Sequence, residues 1–139
     1  MGRVLGVDLG SKRIGFAVSD PDRIITSSLR MVECASDKQI IKAILDAVTE
    51  TSAEVCVLGH PVNMDGSRGP AAQRAEKFRD ELKTRLSIPV ELWDERLTTK
   101  SAHDVLIEAG TRRDKRKGLV DKIAAQIMLQ NYLDAHPTI

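Results

Sequence analysis

Short apolar runs alternate along this chain with stretches in which apolar residues recur at helical spacing. The first run, Val4 to Val7, is nearly continuous and leads into Asp8, which is the pattern of a strand covered on both faces. Larger apolar and small residues alternate from Ile14 to Ser19, and an extended pattern returns between Arg23 and Cys34. Because only about three residues separate the first two runs, they are predicted to pair as an antiparallel hairpin. With the third run, they predict an antiparallel meander.

The rest of the chain predicts strands connected by helices. Ser36 and Gln39 have the spacing of a capping box, and helical periodicity continues from there to about Thr51. The apolar run at 55–59 indicates a buried strand, parallel to the first because a crossover helix precedes it. The further predicted elements are a loop at 61–70, a helix burying Ala71, Ala75, Phe78 and Leu82, a strand at 88–93, a third helix from Thr98 or Ser101 to Gly110, and a last helix from about Leu119.

This order of elements predicts one α/β domain over residues 1–139. Its sheet is expected to be mixed and five-stranded, with the meander joined by two parallel strands and about four helices flanking it. The net charge of +1 does not indicate a nucleic-acid binder, so any such contact must come from locally clustered charge. There is no charged-then-apolar leader and no apolar run near ~18 residues, so a cytoplasmic protein without a membrane partner is expected. Cys34 and Cys56 are expected to be reduced core residues.

Carboxylates follow three of the predicted core elements. Asp8 ends the first strand, Asp94 and Glu95 follow the last strand, and Asp121 lies in the first turn of the last helix. If the first strand and the strand at 88–93 are parallel neighbours, their acids converge at the carboxyl edge of the sheet. Oxygen ligands with no histidine or cysteine nearby suit Mg²⁺ or Mn²⁺. A pair of such ions can activate water against a phosphodiester.

Two of these acids also have a purely structural explanation. Asp8 can cap a turn, and Asp121 can stabilise a helix N-terminus. Successive strand residues point to opposite faces, so the spacing alone leaves open whether Asp94 or Glu95 joins the cluster. A strand ending in Gly-x-Asp-x-Gly also occurs in actin- and Hsp70-like ATPases. Those proteins hold nucleotide between two such domains, however, and this chain has sequence for only one.

One dense basic run lies between Thr111 and Gly118, with five basic residues and one acid. It is predicted to be a mobile loop that contacts nucleic acid, because a carboxylate cluster alone would repel a polyanion. The alternative is a solvated loop without a ligand. Arg96 can orient a phosphate or pair with Glu95. The basic residues of the run are Arg112, Arg113, Lys115, Arg116 and Lys117.

Four motifs in the chain together resemble the bacterial YqgF (RuvX) family. They are Gly6-Val7-Asp8-Leu9-Gly10-Ser11-Lys12-Arg13-Ile14-Gly15, Gly59-His60-Pro61 with Asp65-Gly66-Ser67, Asp94-Glu95-Arg96-Leu97-Thr98-Thr99, and Val120-Asp121-Lys122-Ile123-Ala124-Ala125. The resemblance implies an RNase H-like fold related to the resolvase RuvC. It also implies that Asp8, Glu95 and Asp121 are the metal-binding acids. One departure is His60, where an apolar residue, often Leu, is usual.

The leading hypothesis is a metal-dependent nuclease that processes the 5′ end of pre-16S ribosomal RNA. One alternative is a Holliday-junction resolvase acting on branched DNA. Another is a non-catalytic nucleic-acid-binding factor in ribosome assembly, although a pure binding module gains nothing from clustered negative charge. The expected partners are nucleic acid and ribosome precursors, and the expected oligomeric state is a monomer or a homodimer.

Overall fold

The structure is a computed structural model that describes residues 2–10, 13–63, 65–94 and 113–136, with the backbone alone for 113–123. Five strands and three helices lie in these ranges. The strands are β1 (Val4–Leu9), β2 (Arg13–Ser19), β3 (Thr26–Glu33), β4 (Val55–His60) and β5 (Val90–Asp94). The helices are α1 (Asp37–Thr51), α2 (Pro70–Arg85) and α3 (Arg113–Ala135).

The five strands form one mixed sheet in the order β3-β2-β1-β4-β5. β1, β2 and β3 pair antiparallel, whereas β1 with β4 and β4 with β5 pair parallel, which confirms the predicted meander and the two parallel strands. The condition that β1 and the last strand are direct neighbours is wrong, because β4 lies between them. They still run parallel, so their carboxyl ends meet the same edge of the sheet.

A hydrophobic core lies on each face of the sheet. On one face, Leu5, Val7 and Leu58 pack with α1 and α2. On the other face, Val4 and Val57 pack with α3. The alternation of neighbouring residues between the two cores follows the two-residue period of a strand. The position of a residue in β1 therefore decides whether its side chain faces α1 and α2 or faces α3.

The first helix begins close to where the capping signature predicts it. Ser36 is the N-cap, and its Oγ accepts a hydrogen bond from the Gln39 amide at 3.3 Å. The Gln39 side chain accepts from the amide of Ala35 rather than from that of Ser36. At the other end, Ser52 adopts a left-handed backbone conformation with φ of 56°, and the predicted end at Thr51 is confirmed.

Several predicted boundaries and faces need correction. The third strand begins at Thr26 rather than Arg23, because the Asp20 carboxylate accepts hydrogen bonds from the amides of Ile24 and Ile25 and holds them in a turn. In α2, Ala72 is buried and Ala71 is exposed. Two adjacent alanines fit the apolar period almost equally well, so the sequence did not distinguish them. The last strand starts at Val90, two residues after the predicted start.

The prediction of a loop over the basic run is wrong for residues 113–117, which form the first turns of α3. Lysine and arginine are good helix formers, and a single glycine such as Gly118 costs a helix only ~1 kcal/mol relative to alanine. The predicted third helix from Thr98 or Ser101 to Gly110 lies outside the described residues, as do Glu95, Arg96 and Arg112. Among the helices that are described, none is long and apolar enough to span a bilayer.

Candidate metal centre at the carboxyl edge of the sheet

Asp8 lies near the carboxyl end of β1 and is partly buried. Its partner on β2 is Gly15. A Cβ atom built on Gly15 would lie 3.8 Å from the Asp8 Cβ and 3.5 Å from the Ala125 Cβ of α3. Asp8 therefore faces the α3 side of the sheet, and the glycine opposite it leaves the adjacent position free of a side chain.

Helix α3 runs antiparallel to β1 across this face. Leu129 packs over Gly6, where a built Cβ would lie 3.0 Å from the Leu129 Cβ, and Ala125 packs at the level of Asp8. Residue 121 lies one helical turn before Ala125, a rise of about 6 Å toward the carboxyl end of β1. The helical backbone thus brings Asp121 to the edge of the sheet at which Asp8 lies.

The alternation of residues along β5 separates Asp94 from Asp8. Leu92 packs against the core on the α1 and α2 side, whereas Trp93 packs against the core beneath α3. Asp94 follows Trp93 and is paired in register with His60 of β4, so it faces α2. The structure therefore does not bring Asp94 to the face that carries Asp8.

The predicted metal ligands Asp8, Glu95 and Asp121 remain a prediction as a set. Only Asp8 has a described side chain; Glu95 and the Asp121 side chain lie outside what the structure describes. Within the described side chains, no three histidine, cysteine, aspartate or glutamate residues form a group that could hold a metal ion. The nucleic-acid-binding residues predicted at 112–117 and at Arg96 also lack described side chains.

The opposite face of the same edge carries a charged cluster that sequence reasoning missed. His60 Nε2 lies 2.8 Å from Glu76 Oε2, and Arg68 Nη1 donates to Glu76 Oε1 at 2.8 Å. The hydrogen bond with His60 holds the pKa of Glu76 below its usual value, and the Arg68 charge lowers the pKa further. This cluster ties the end of β4 and the following loop to α2.

A second connection from α2 reaches the turn between β1 and β2. Arg74 Nη1 donates to the carbonyl oxygen of Gly10 at 2.9 Å. The amide of Gly10 donates to the carbonyl oxygen of Arg13 at 2.9 Å. Both backbone polar groups of Gly10 are therefore paired. The sequence offers no local signal for a contact between residues 64 positions apart.

Trp93 of β5 packs with Tyr132 of α3 and with His136, which follows that helix. The rings of Trp93 and Tyr132 meet edge to face at 5.6 Å, and His136 stacks on Tyr132 at 4.4 Å. The Tyr132 hydroxyl donates to the carboxylate of Glu91, and burial, followed by this carboxylate, raises the pKa of Tyr132. Tyr132 belongs to the core on the α3 side of the sheet, and the partly buried Trp93 packs against it.

Comparisons of the sequence with known proteins give consistent matches. The model of the RuvX family, described as a Holliday junction resolvase, matches residues 2–135. A Myxococcus xanthus protein named "Putative pre-16S rRNA nuclease" is 44% identical over 134 residues, which cover 96% of this chain and 89% of the relative. A protein of the same name from Caldanaerobacter subterraneus is 46% identical over 134 residues, covering 96% of each.

Solved structures give the same fold. RuvC of T. thermophilus in complex with a Holliday junction substrate aligns with a TM-score of 0.62 at 13% identity, covering 96% of both chains. A fowlpox virus resolvase in complex with Holliday junction DNA aligns with a TM-score of 0.51 at 14% identity, covering 96% of this chain and 97% of the resolvase. At these identities the likeness concerns the fold alone, and it confirms the predicted RNase H-like architecture.

Proposed function

Since the chain belongs to the RuvX family, we propose that it is a metal-dependent nuclease that processes pre-16S ribosomal RNA. The observation that carries the proposal is the position of Asp8. A carboxylate at the carboxyl end of a central strand faces a helix whose backbone brings a second acid, Asp121, to the same edge. Relatives over 40% identical across almost the whole chain carry the name of a pre-16S rRNA nuclease, which supports this substrate.

We propose that Asp8, Glu95 and Asp121 hold Mg²⁺ or Mn²⁺. Carboxylate oxygens are hard ligands that suit both ions, and Gly15 keeps a side chain away from Asp8 on the β2 side. Asp94 faces α2, so strand alternation favours the next residue, Glu95, as the acid that β5 contributes to the α3 face. Metal ions bound there would activate water and stabilise the departing oxygen of a phosphodiester. The three carboxylates would hold and orient them at the end of β1.

The basic residues of the run 112–117 are proposed to hold the phosphate backbone. From residue 121 to residue 113, α3 extends by about 12 Å, in the direction that leads past the carboxyl end of β1. For residues 113–117, helical positions fix the spacing of the cations better than a loop would. Arg96, which follows Glu95 in the sequence, is proposed as a further phosphate contact. A ribosomal RNA precursor as substrate would make the cytoplasm the place of action.

The test compares the wild type with Asp8→Asn and with Asp94→Asn as a matched control. Each change replaces one carboxylate by an isosteric amide near the carboxyl end of a parallel strand, but on opposite faces of the sheet. Pre-16S rRNA and a four-way DNA junction are each incubated with Mn²⁺, and the melting temperature of each protein is followed with and without the ion. Asp8→Asn should abolish RNA cleavage and most of the rise in melting temperature that Mn²⁺ causes, whereas Asp94→Asn should retain both.

Equal cleavage by the wild type and Asp8→Asn would show that Asp8 is not a metal ligand. Loss of cleavage in Asp94→Asn alone would reassign the β5 ligand to Asp94. Cleavage of the junction but not of the RNA would replace the proposed substrate with branched DNA. Tight RNA binding by a wild type that cleaves neither substrate would favour the non-catalytic assembly factor.

A further inference from the structure

The first half of α2 holds two loops at the carboxyl edge of the sheet. Arg74 donates to the Gly10 carbonyl in the turn after β1, and Glu76 accepts from His60 and Arg68 beside the loop after β4. These contacts lie on the α2 side of the sheet, and Asp8 faces the α3 side. They can therefore act on a metal centre at Asp8 only through the backbone.

Asp8 lies where β1 is paired with one neighbouring strand, whereas the three preceding residues of β1 are paired with two. The parallel pairing of β1 with β4 ends at Val7, opposite Leu58. Pairing with β2 continues through Asp8 with Gly15 and Leu9 with Ile14. The end of β1 is thus paired mainly with β2, through the last two pairs before the turn. Contacts that stabilise the turn between β1 and β2 therefore also stabilise these two residue pairs.

Gly10 is the residue at which the turn is tied. Its amide donates to Arg13 and its carbonyl accepts from Arg74, each at 2.9 Å. A Cβ on Gly10 would lie 2.4 Å from the Arg13 carbonyl oxygen, so the turn closes tightly there. The guanidinium of Arg74 lies 5.3 Å from the centre of the Phe78 ring, which restrains the donor side of the bond.

We propose that Arg74 is a positioning residue for the metal centre: it pins the β1–β2 turn to α2 and so keeps the end of β1 paired at Asp8. The inference rests on the proposed function, because it assumes that Asp8 binds a metal ion. The bond is charge-assisted and partly buried, which makes it stronger than a bond between neutral groups. Lysine can donate to the same carbonyl but lacks the planar guanidinium that stacks on Phe78, so it should replace arginine only in part.

The experiment compares Arg74→Ala and Arg74→Lys with Arg79→Ala as control. Arg79 lies on the same helix and pairs with its neighbour Asp80, so its removal leaves both loop contacts in place. For each protein, calorimetry measures Mn²⁺ affinity, and kinetics with pre-16S rRNA give kcat and KM. Hydrogen exchange is followed at the amides of Gly10 and Gly15, which lie in the hydrogen-bonded pairs next to the turn. Arg74→Ala should weaken Mn²⁺ binding by about tenfold, lower kcat more than KM rises, and speed exchange at these amides. Arg74→Lys should recover part of the loss.

A merely structural role for Arg74 would lower the melting temperature while Mn²⁺ affinity and exchange at the turn stay as in the wild type, and that result would overturn the inference. Equal losses of affinity in Arg79→Ala would overturn it as well. If Arg74→Ala does not fold, Arg74→Lys with unchanged Mn²⁺ affinity and exchange decides against it. A wild type that neither binds Mn²⁺ nor cleaves RNA would refute the proposed function, and this inference with it.

Discussion

Gly6 is the position at which one added methyl group should disturb the packing of α3 on the sheet. A Cβ there would lie 3.0 Å from the Leu129 Cβ and 3.4 Å from both of its Cδ atoms. Leu129 is fully buried, and its Cβ moves only with the helix backbone. Gly6→Ala therefore requires α3 to move away from β1 by a few tenths of an ångström.

The size of the effect follows from two opposing contributions. Overpacking a well-filled core costs roughly 1–3 kcal/mol. Replacing a strand glycine by alanine returns about 0.5–1 kcal/mol, because the unfolded chain has less backbone freedom to lose. The free energy of unfolding should therefore fall by about 1 kcal/mol, which lowers the melting temperature by roughly 3–5 °C for a domain of this size.

Urea and thermal unfolding of Gly6→Ala, beside Gly15→Ala, measure this difference. The Cβ of Gly15→Ala would lie 3.5 Å from Ala125 and 3.8 Å from Asp8, which are ordinary contacts, so this control should be stabilised by ~0.4–1 kcal/mol. Gly6→Ala should also bind Mn²⁺ more weakly, since a shift of α3 moves residue 121 relative to Asp8. A Gly6→Ala protein as stable as the Gly15→Ala protein would refute the assignment of α3 as tightly packed over β1.

Three further outcomes are expected. The pKa of Glu76 is lower in the folded protein than the unfolded value of ~4.3, so its contribution to stability is full above about pH 5 and is lost as the pH falls through the folded value. In urea unfolding between pH 3 and pH 7, the free energy of unfolding of Glu76→Gln should therefore fall less toward low pH than that of the wild type. Burial raises the pKa of Cys56 to about 12, so in a Cys34→Ser background the thiol should react with a disulfide reagent at pH 8 only after unfolding. Replacing the five basic residues at 112–117 with glutamine, which keeps helix propensity, should flatten the salt dependence of RNA binding, whereas an unchanged slope would exclude them as the phosphate contact.

Local pattern was enough to predict most of the sheet. Apolar continuity, alternation and turn residues located all five strands, and the helix before β4 indicated its parallel pairing with β1. The position of β4 between β1 and β5 was not predictable, because strand order depends on tertiary contacts that leave no periodic signal. The same holds for Ala71 and Ala72, where only packing against the sheet decides which alanine is buried.

The candidate site divides in a similar way. Asp8 was predictable because a carboxylate at the end of an apolar run is a local signal, and the structure brings it to the α3 face. The sequence alone could not decide between Asp94 and Glu95. Alternation along β5 favours Glu95 only once the structure shows which face of the sheet Leu92 and Trp93 lie on. The contacts of Arg74 with Gly10 and of Glu76 with His60 join residues 64 and 16 positions apart, so no local motif could have indicated them. The basic run was misjudged because its charges resemble a solvated loop, although lysine and arginine favour helix.

Helix α3 covers a face of the sheet whose first four strands are synthesised well before the helix itself. Val4, Ala17 and Val57 lie on that face, and the residues that bury them are in the segment from Ala125 to Leu133. At ~5–20 residues per second, translation of residues 58–135 takes roughly 4 to 16 s. During that interval the first four strands can pair, but one apolar face of their sheet stays open to water and to chaperones. The nascent protein therefore completes its second core only when α3 arrives, and any activity that needs both Asp8 and Asp121 must wait for the same step.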